Sequence, residues 1–128
     1  MQSQDSNREM TASVDSEKFL YLTTRGRNSG RPREIEIWFT RHTGHFYVIA
    51  EYATSHWVQN LRAHREVQVR VAGNAFGARA RILLLDTDAP LIAAVQELSR
   101  RKYGWGEGLV VELAPAASAE PPEKERIQ

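Results

Sequence analysis

The chain has 128 residues, of which 41% are hydrophobic and 26% charged, which is enough for one domain with its own core and too little for two. It contains no cysteine, so disulfides, thiolate metal sites and a thiol nucleophile are excluded. No apolar run approaches the roughly 20 residues of a transmembrane span, and the N-terminus lacks the apolar stretch of a signal peptide. These features predict a cytoplasmic protein without a transmembrane segment.

Charge is unevenly distributed along the chain. The net charge is only +1, yet residues 19–113 hold 13 of the 17 basic residues and nine of the 16 acidic ones. Twelve of these 13 bases are arginine, whose planar guanidinium suits phosphate and carboxylate. An anionic partner is one interpretation, and a general preference for arginine is the other. The polar segment 1–16 and the proline-rich segment 114–128 are predicted to be flexible tails around one domain, 17–113.

Three strands and a short helix are predicted in the first half of this domain. Apolar residues alternate with polar ones between turn signals, which is typical of strands that bury one face. The predicted strands cover 19–24, 34–41 and 45–51, and the helix covers 56–63 with Ser55 as its N-cap.

The second half predicts two strands, a long helix and a last strand. Strands over 67–71 and 76–85 flank Gly73-Asn74, a two-residue hairpin signal. The helix runs from Asp88 to about Tyr103, and the last strand covers 109–113. Strands joined by turns form antiparallel sheets. About six such strands with one short and one long helix predict a mainly β (α+β) fold that curls into a small barrel.

The segment 23–33, TTRGRNSGRPR, joins the first two predicted strands and carries most of the chemical information. Its two glycines permit a tight turn that exposes backbone N–H groups. Four arginines can then close on a multiply charged anion: Arg25, Arg27, Arg31 and Arg33. The GxxxxGK[ST] spacing of a Walker loop is missing. The segment is therefore either a phosphate cradle of another kind or a solvated basic hairpin loop.

The segment 55–61, SHWVQNL, is the second candidate for a binding role. His56 and Asn60 are four residues apart and share a helix face, and Trp57 is predicted to face the core or a pocket wall. No acidic residue lies beside the histidines at a ligand spacing, so no metal site is predicted.

Three motifs together resemble one known family. They are L-T-T-x-G-R-x-S-G-x-P-R over 22–33, H-W-x-x-N-L over 56–61 and K-Y-G-W-G over 102–106. The chain is similar over 19–113 to the deazaflavin (F420)-dependent nitroreductase family, a branch of the split β-barrel flavin-binding oxidoreductases. The resemblance implies a split β-barrel that holds a deazaflavin or flavin. It also implies hydride transfer to an electrophilic acceptor: a quinone, a nitro compound or an activated C=C bond.

The resemblance implies two groups of cofactor-binding residues. Those nearest the phosphate tail lie in or beside the loop: Arg25, Arg27, Asn28, Ser29, Gly30 and Arg33. Those around the ring lie at the end of the third strand and on the short helix: Ile49, Ala50, Glu51, His56, Trp57 and Asn60.

An acceptor pocket is predicted to be walled by Tyr52, Tyr103 and Trp105. Tyr103 is the candidate catalytic residue, because its hydroxyl can stabilise or protonate a reduced product. The alternative is that Tyr103 only packs the end of the long helix.

The sequence leaves alternatives open for both the cofactor and the function. Family members commonly have Gly-Gly before the His-Trp motif, where this chain has 51–55, EYATS, so FMN is the alternative to F420. A non-catalytic flavin or deazaflavin carrier is one alternative function. A nucleic-acid-binding barrel that stacks bases on Trp38, Phe46 and Tyr47 is another, and is less favoured. The predicted partner is a small-molecule electron acceptor, and both a monomer and a homodimer are compatible with the sequence.

Overall fold

The computed structural model describes residues 14–116, which form one curled sheet of seven strands with two main helices. In chain order the elements are β1 Phe19–Arg25, β2 Pro32–Trp38, β3 Thr40–His42, β4 His45–Ala50, α1 His56–Ala63, β5 Glu66–Val71, β6 Asn74–Ile82, α2 Leu85–Tyr103 and β7 Leu109–Pro115. The predicted mainly β class is confirmed. Most of the two predicted tails lies outside the described residues.

The sheet curls because its two edges are consecutive in the chain. The strand order is β2-β1-β5-β6-β7-β4-β3, and every neighbouring pair is antiparallel. Edge strands β2 and β3 are separated only by Phe39, so the sheet must bend round until its ends approach each other. This is a barrel that is split along one side, as predicted.

The barrel interior is filled by apolar side chains from every second residue of its strands. Leu20 and Leu22 of β1 are fully buried. They belong to the same core cluster as three valines of the neighbouring strand β5: Val67, Val69 and Val71. Each such side chain stabilises the fold by about 1.5–3 kcal/mol relative to an exposed one. The period-two pattern in the sequence therefore reports which side of each strand faces inward.

Helix α2 covers the outer face of β4 and β7. Val95 is fully buried there and packs with Tyr47, Leu83 and Val110. The helix ends at Gly104, whose left-handed backbone (φ 83°) lets its N–H donate to the Arg100 carbonyl at 2.8 Å. Within residues 14–116, no helix has both the length and the apolar character that a membrane span needs.

Local contacts move the start of α2 away from the predicted position. β6 ends at Ile82 rather than 85, and the helical segment begins at Leu85 rather than Asp88. Asp88 itself is non-helical (φ −117°), and its carboxylate accepts a hydrogen bond from the Leu84 N–H at 2.9 Å. The helix therefore has an additional first turn, 85–87, which is separated from the predicted helix by a kink at Asp88.

The predicted single strand over 34–41 is wrong, because it breaks at Phe39 into β2 and β3. The end of α2 supplies the hydrogen bonds at the break. The Phe39 N–H donates to the Tyr103 hydroxyl at 3.0 Å, and the Lys102 ammonium donates to the Phe39 carbonyl at 3.1 Å. A contact distant in sequence therefore bends the strand.

Two turn predictions are also corrected. The hairpin between β5 and β6 turns at Ala72-Gly73 rather than Gly73-Asn74, with φ of 51° and 81°, while Asn74 pairs with Val71 in the ladder. Ser55 does occupy the N-cap position of α1, but its hydroxyl donates to the Tyr52 carbonyl at 2.8 Å and makes no capping bond to the helix.

Candidate functional site

The loop between β1 and β2 is a tight turn held by its own backbone. The Gly26 N–H donates to the Arg31 carbonyl and the Gly30 N–H to the Gly26 carbonyl, both at 2.8 Å. A Cβ on Gly26 would lie 2.7 Å from the Ser29 hydroxyl oxygen, and Gly30 has a φ of 75°. The backbone therefore favours glycine at position 30, while a side chain at position 26 would require the Ser29 hydroxyl to move.

This loop and α1 enclose a cavity of about 470 Å³, which we call the arginine cavity. It is lined by Gly26, Arg27, Asn28, Ser29, Arg33, Ile35, His56, Trp57 and Asn60. None of these lining residues is acidic. The Arg33 guanidinium has no hydrogen bond or ion pair to any other residue in 14–116, so its charge is free for a ligand.

Asn60 is the buried connection between α1 and the loop. Its side-chain oxygen accepts hydrogen bonds from the Arg27 N–H at 3.1 Å and the Arg27 guanidinium at 2.8 Å. Its NH₂ group donates to the Thr24 hydroxyl on β1 at 3.2 Å. The second guanidinium nitrogen of Arg27 lies 3.2 Å from His56 Nδ1. One buried amide thus joins α1 to Arg27 of the loop and to Thr24 of β1.

A second cavity, of about 530 Å³, lies at the other end of β2 beneath the end of α2, and we call it the aromatic cavity. It is lined by Phe19, Glu36, Ile37, Trp38, Phe39, Thr40, Tyr47, Ile49, Glu51, Ser99 and Trp105. Trp38 and Trp105 meet edge to face, with ring centroids 6.5 Å apart. The buried Ser99 hydroxyl donates to the Trp105 carbonyl at 2.5 Å and fixes that segment.

Tyr103 supports the wall of the aromatic cavity from behind. Its ring stacks on Trp38 with centroids 4.4 Å apart and planes 5° from parallel. Its hydroxyl accepts from the Phe39 N–H, and the Phe39 and Lys18 carbonyls each lie 2.8 Å away as acceptors. Burial raises the pKa of Tyr103 above its ordinary value. This geometry favours a structural role, and the catalytic role of Tyr103 stays a prediction.

Replacing Tyr103 by phenylalanine separates the two roles. The Phe39 N–H would lose its partner, so we expect the free energy of unfolding to fall by about 1–2 kcal/mol. With a purely structural role, the affinity for the cofactor that the sequence predicts should remain, and any turnover should change little at a temperature where the variant is folded. Denaturant unfolding and steady-state assays measure both quantities. A turnover loss of several-fold at unchanged stability would instead support the catalytic role.

A buried carboxylate network lies directly behind Tyr47. The Tyr47 hydroxyl donates to Glu112 at 2.9 Å, and His45 Nδ1 and Arg81 Nε lie 3.2 and 3.1 Å from the same carboxylate. Burial alone would raise the pKa of Glu112, but the hydrogen bonds from His45, Tyr47 and Arg81 outweigh it and lower that pKa. Burial and Glu112 together raise the pKa of Tyr47, which therefore stays protonated and donates.

Replacing Glu112 by glutamine removes this charge and keeps the shape of the side chain. We expect a loss of about 1.5–3 kcal/mol of stability at pH 7, because hydrogen bonds to a charged group are lost. Because the pKa of Glu112 is lowered in the folded protein, the ionised carboxylate stabilises the fold above the ordinary pKa of 4.5. This stabilisation is lost as the pH falls through the lowered pKa. The difference between wild type and variant should therefore shrink as unfolding is measured from pH 7 towards pH 3. A constant difference would contradict the assignment.

The structure brings most of the predicted site residues to one of the two cavities. The arginine cavity contains Arg27, Asn28, Ser29, Arg33, His56, Trp57 and Asn60, and the aromatic cavity contains Ile49, Glu51 and Trp105. Five predicted residues line neither: Arg25 and Tyr52 are exposed, Gly30 forms the turn, Ala50 is buried in the barrel wall, and Tyr103 stacks behind Trp38. Whether these residues bind a cofactor stays a prediction.

The sequence analysis did not place Trp38, Thr40 or Tyr47 with the residues that line the aromatic cavity. Alternation places Glu36, Trp38 and Thr40 on one face, but the sequence alone does not show that the end of α2 and Tyr47 pack against that face to form a cavity. Tyr47 and Phe46 are 2% and 7% exposed, so these rings are not available for stacking nucleic-acid bases. In the part of the chain that is described, no group of three or more His, Asp or Glu side chains is arranged to hold a metal ion.

A split barrel with a basic cavity and an aromatic cavity along one strand defines the class to which this chain belongs, the split β-barrel proteins. Solved structures support the fold at low sequence identity. A FAD-binding protein from Mesorhizobium loti has a TM-score of 0.66 and 16% identity over 85% of this chain and 88% of its own. The heme storage protein HutZ from Vibrio cholerae has a TM-score of 0.65 and 20% identity over 85% and 89%. An F420-H2 dependent reductase, FDR-A, has a TM-score of 0.61 and 18% identity over 76% and 93%.

The chain belongs to the F420H(2)-dependent quinone reductase family, whose model matches residues 2–104. This match confirms the resemblance to F420-dependent split-barrel proteins that the sequence motifs carry. No curated protein matches the sequence.

Proposed function

We propose that this protein is an oxidoreductase that binds reduced F420 and passes a hydride to a quinone or a related electrophile. The observation that carries the proposal is the position of the two cavities on one strand. β2 contributes Arg33 and Ile35 to the arginine cavity and residues 36–38 to the aromatic cavity. At about 3.3 Å per residue, Arg33 and Trp38 are separated by roughly 16 Å along β2, and they project from opposite sides of this edge strand. A ligand with a phosphate at one end and a planar ring at the other would therefore cross the free edge of β2.

The donor set of the arginine cavity suits a phosphate. Arg33 offers an unpaired guanidinium, and the Arg27 guanidinium is held in place beside it by Asn60. Because the lining contains no carboxylate, nothing in it repels an anion.

The aromatic cavity suits a flat conjugated ring. Trp38 and Trp105 offer aromatic faces, and Tyr47 and Ile49 extend the apolar wall. Two exposed carboxylates, Glu36 and Glu51, lie at this end of β2. Their charges oppose those of the arginine cavity, so an anionic tail is directed to Arg33 and the neutral ring to Trp38.

Reduction of a quinone to a hydroquinone takes up one hydride and one proton. The bound cofactor would supply the hydride, which explains why no paired acid and base or activated nucleophile is needed in the chain. The role of the protein is then to bind the two ligands, to hold their planes together against Trp38 and Trp105, and to exclude water from the transfer.

Titration with F420 and with FMN, side by side, tests the cofactor assignment. We expect F420 binding to quench the fluorescence of Trp38, Trp57 and Trp105, which line the two cavities, and FMN to bind more weakly. Reduced F420 is then mixed with menadione and its reoxidation followed by absorbance. Preference for FMN would overturn the cofactor assignment, and binding of F420 without reoxidation would assign a carrier role.

A further inference from the structure

Thr40 has an unsatisfied hydroxyl in a place where polar groups are normally paired. The residue is 6% exposed, and its Oγ1 is the one buried side-chain nitrogen or oxygen in residues 14–116 that has no hydrogen-bond partner. A buried polar atom without a partner destabilises a folded protein, so native structures rarely keep one without a functional reason.

The two other hydroxyl groups near Thr40, those of Tyr47 and Ser99, cannot donate a hydrogen bond to a ligand, because both protons are already used. Thr40 lies directly opposite Tyr47 in the β3–β4 ladder, so both side chains project from the same face of the sheet towards the aromatic cavity. The Tyr47 hydroxyl proton is donated to Glu112, and the Ser99 hydroxyl proton to the Trp105 carbonyl. Among the three residues with a hydroxyl that line this cavity, only Thr40 has a free proton. Its oxygen is itself buried in the ligand-free protein, so the side chain must rotate about its Cα–Cβ bond to present the hydroxyl to a ligand.

We propose that the Thr40 hydroxyl is the polar recognition point of the aromatic cavity and donates a hydrogen bond to a carbonyl oxygen of a planar conjugated ring bound there. This inference rests on the proposed function. Such an oxygen has two sources in this reaction, the ring of the cofactor and the quinone. Stacking on one of the two indole rings, Trp38 or Trp105, fixes the plane of the ring, while one directional bond from Thr40 fixes its rotation within that plane.

Replacing Thr40 by valine tests the proposal, because the change removes the hydroxyl and keeps the branched shape. Equilibrium binding of oxidised F420 and of menadione is measured separately by quenching of tryptophan fluorescence in ligand-free protein. We expect the affinity for one of the two ligands to fall about 3- to 10-fold, the effect of one neutral hydrogen bond. Thr40→Ser restores the hydroxyl and should recover most of the affinity.

Thermal unfolding without ligand distinguishes recognition from a structural role. The hydroxyl makes no hydrogen bond in the free protein, so Thr40→Val should leave the melting temperature unchanged or raise it. Thr87→Val, at an exposed position in the first turn of α2, controls for the substitution itself and should leave binding of both ligands unchanged.

Each outcome assigns or overturns the role of Thr40. Loss of menadione affinity alone identifies the acceptor as the ligand of Thr40, and loss of F420 affinity alone identifies the cofactor. Equal affinities in wild type and Thr40→Val, or a fall in melting temperature that parallels weaker binding, would overturn the inference while the proposed function stands. A wild-type chain that binds neither compound would overturn the proposed function, and the inference with it.

Discussion

Replacing Arg33 by alanine is expected to weaken F420 binding by about 10- to 150-fold, the effect of losing one charge-assisted hydrogen bond. Arg33 lines the arginine cavity and has no ion-pair partner within residues 14–116. The substitution therefore removes a positive charge that would contact the ligand, and it removes no ion pair that stabilises the fold. The melting temperature of the ligand-free protein should therefore stay the same. Fluorescence titration at two salt concentrations measures the effect, which should be larger at low salt.

Arg31, in the loop just before β2, provides a matched control. It has the same charge, lies two residues away and does not line the arginine cavity. Arg31→Ala should change F420 affinity only slightly, through the overall field of the loop. If Arg31→Ala and Arg33→Ala weakened binding equally, the cavity would contribute nothing beyond net charge. An unchanged titration for Arg33→Ala would place the phosphate elsewhere.

Replacing Asn60 by alanine is expected to have the largest effect on stability, a loss of about 2–4 kcal/mol. Asn60 is 4% exposed, and its amide holds the Arg27 backbone, the Arg27 guanidinium and the Thr24 hydroxyl. Its removal leaves the buried Thr24 hydroxyl and the Arg27 N–H without partners. Because Arg27 then loses its anchor on α1, F420 affinity should fall as well. Urea unfolding and the fluorescence titration measure the two effects.

Gln59 is the control for this substitution, since it precedes Asn60 on α1 and its side chain makes one hydrogen bond, to the Ala53 carbonyl at 3.3 Å. Gln59→Ala should cost less than about 1 kcal/mol and leave F420 affinity unchanged. Equal unfolding midpoints for the two variants would show that the amide of Asn60 contributes no more than an ordinary surface contact.

Local patterns were sufficient for most of the fold. The alternation of apolar residues in β1 and β5 identified the inward faces, because a strand that buries one side must repeat with a period of two. Gly104 marked the end of α2, because a glycine accepts the left-handed backbone of a helix terminus. The arginines and glycines of 25–33 and the motif at 56–61 also pointed to residues that the fold brings together around one cavity.

The features that the sequence analysis missed depend on contacts between distant residues. The strand breaks at Phe39 because Tyr103 and Lys102, more than sixty residues later, take over the hydrogen bonds of its backbone. Neither the hydrophobic periodicity nor a turn motif near Phe39 indicates that its backbone bonds to these two side chains. For the same reason the stacking of Trp38 on Tyr103 could not be inferred from either residue's neighbours.

The sequence by itself therefore determined a basic loop between two strands, an inward pattern for each strand and a family resemblance. Only the tertiary structure decided that the barrel closes at Phe39, that α2 and Trp105 cover a second cavity, and that the Thr40 hydroxyl is left without a partner inside it. The physical reason is that periodicity and turn chemistry act between residues close in sequence. Burial and hydrogen-bond satisfaction depend instead on every element that packs against a side chain.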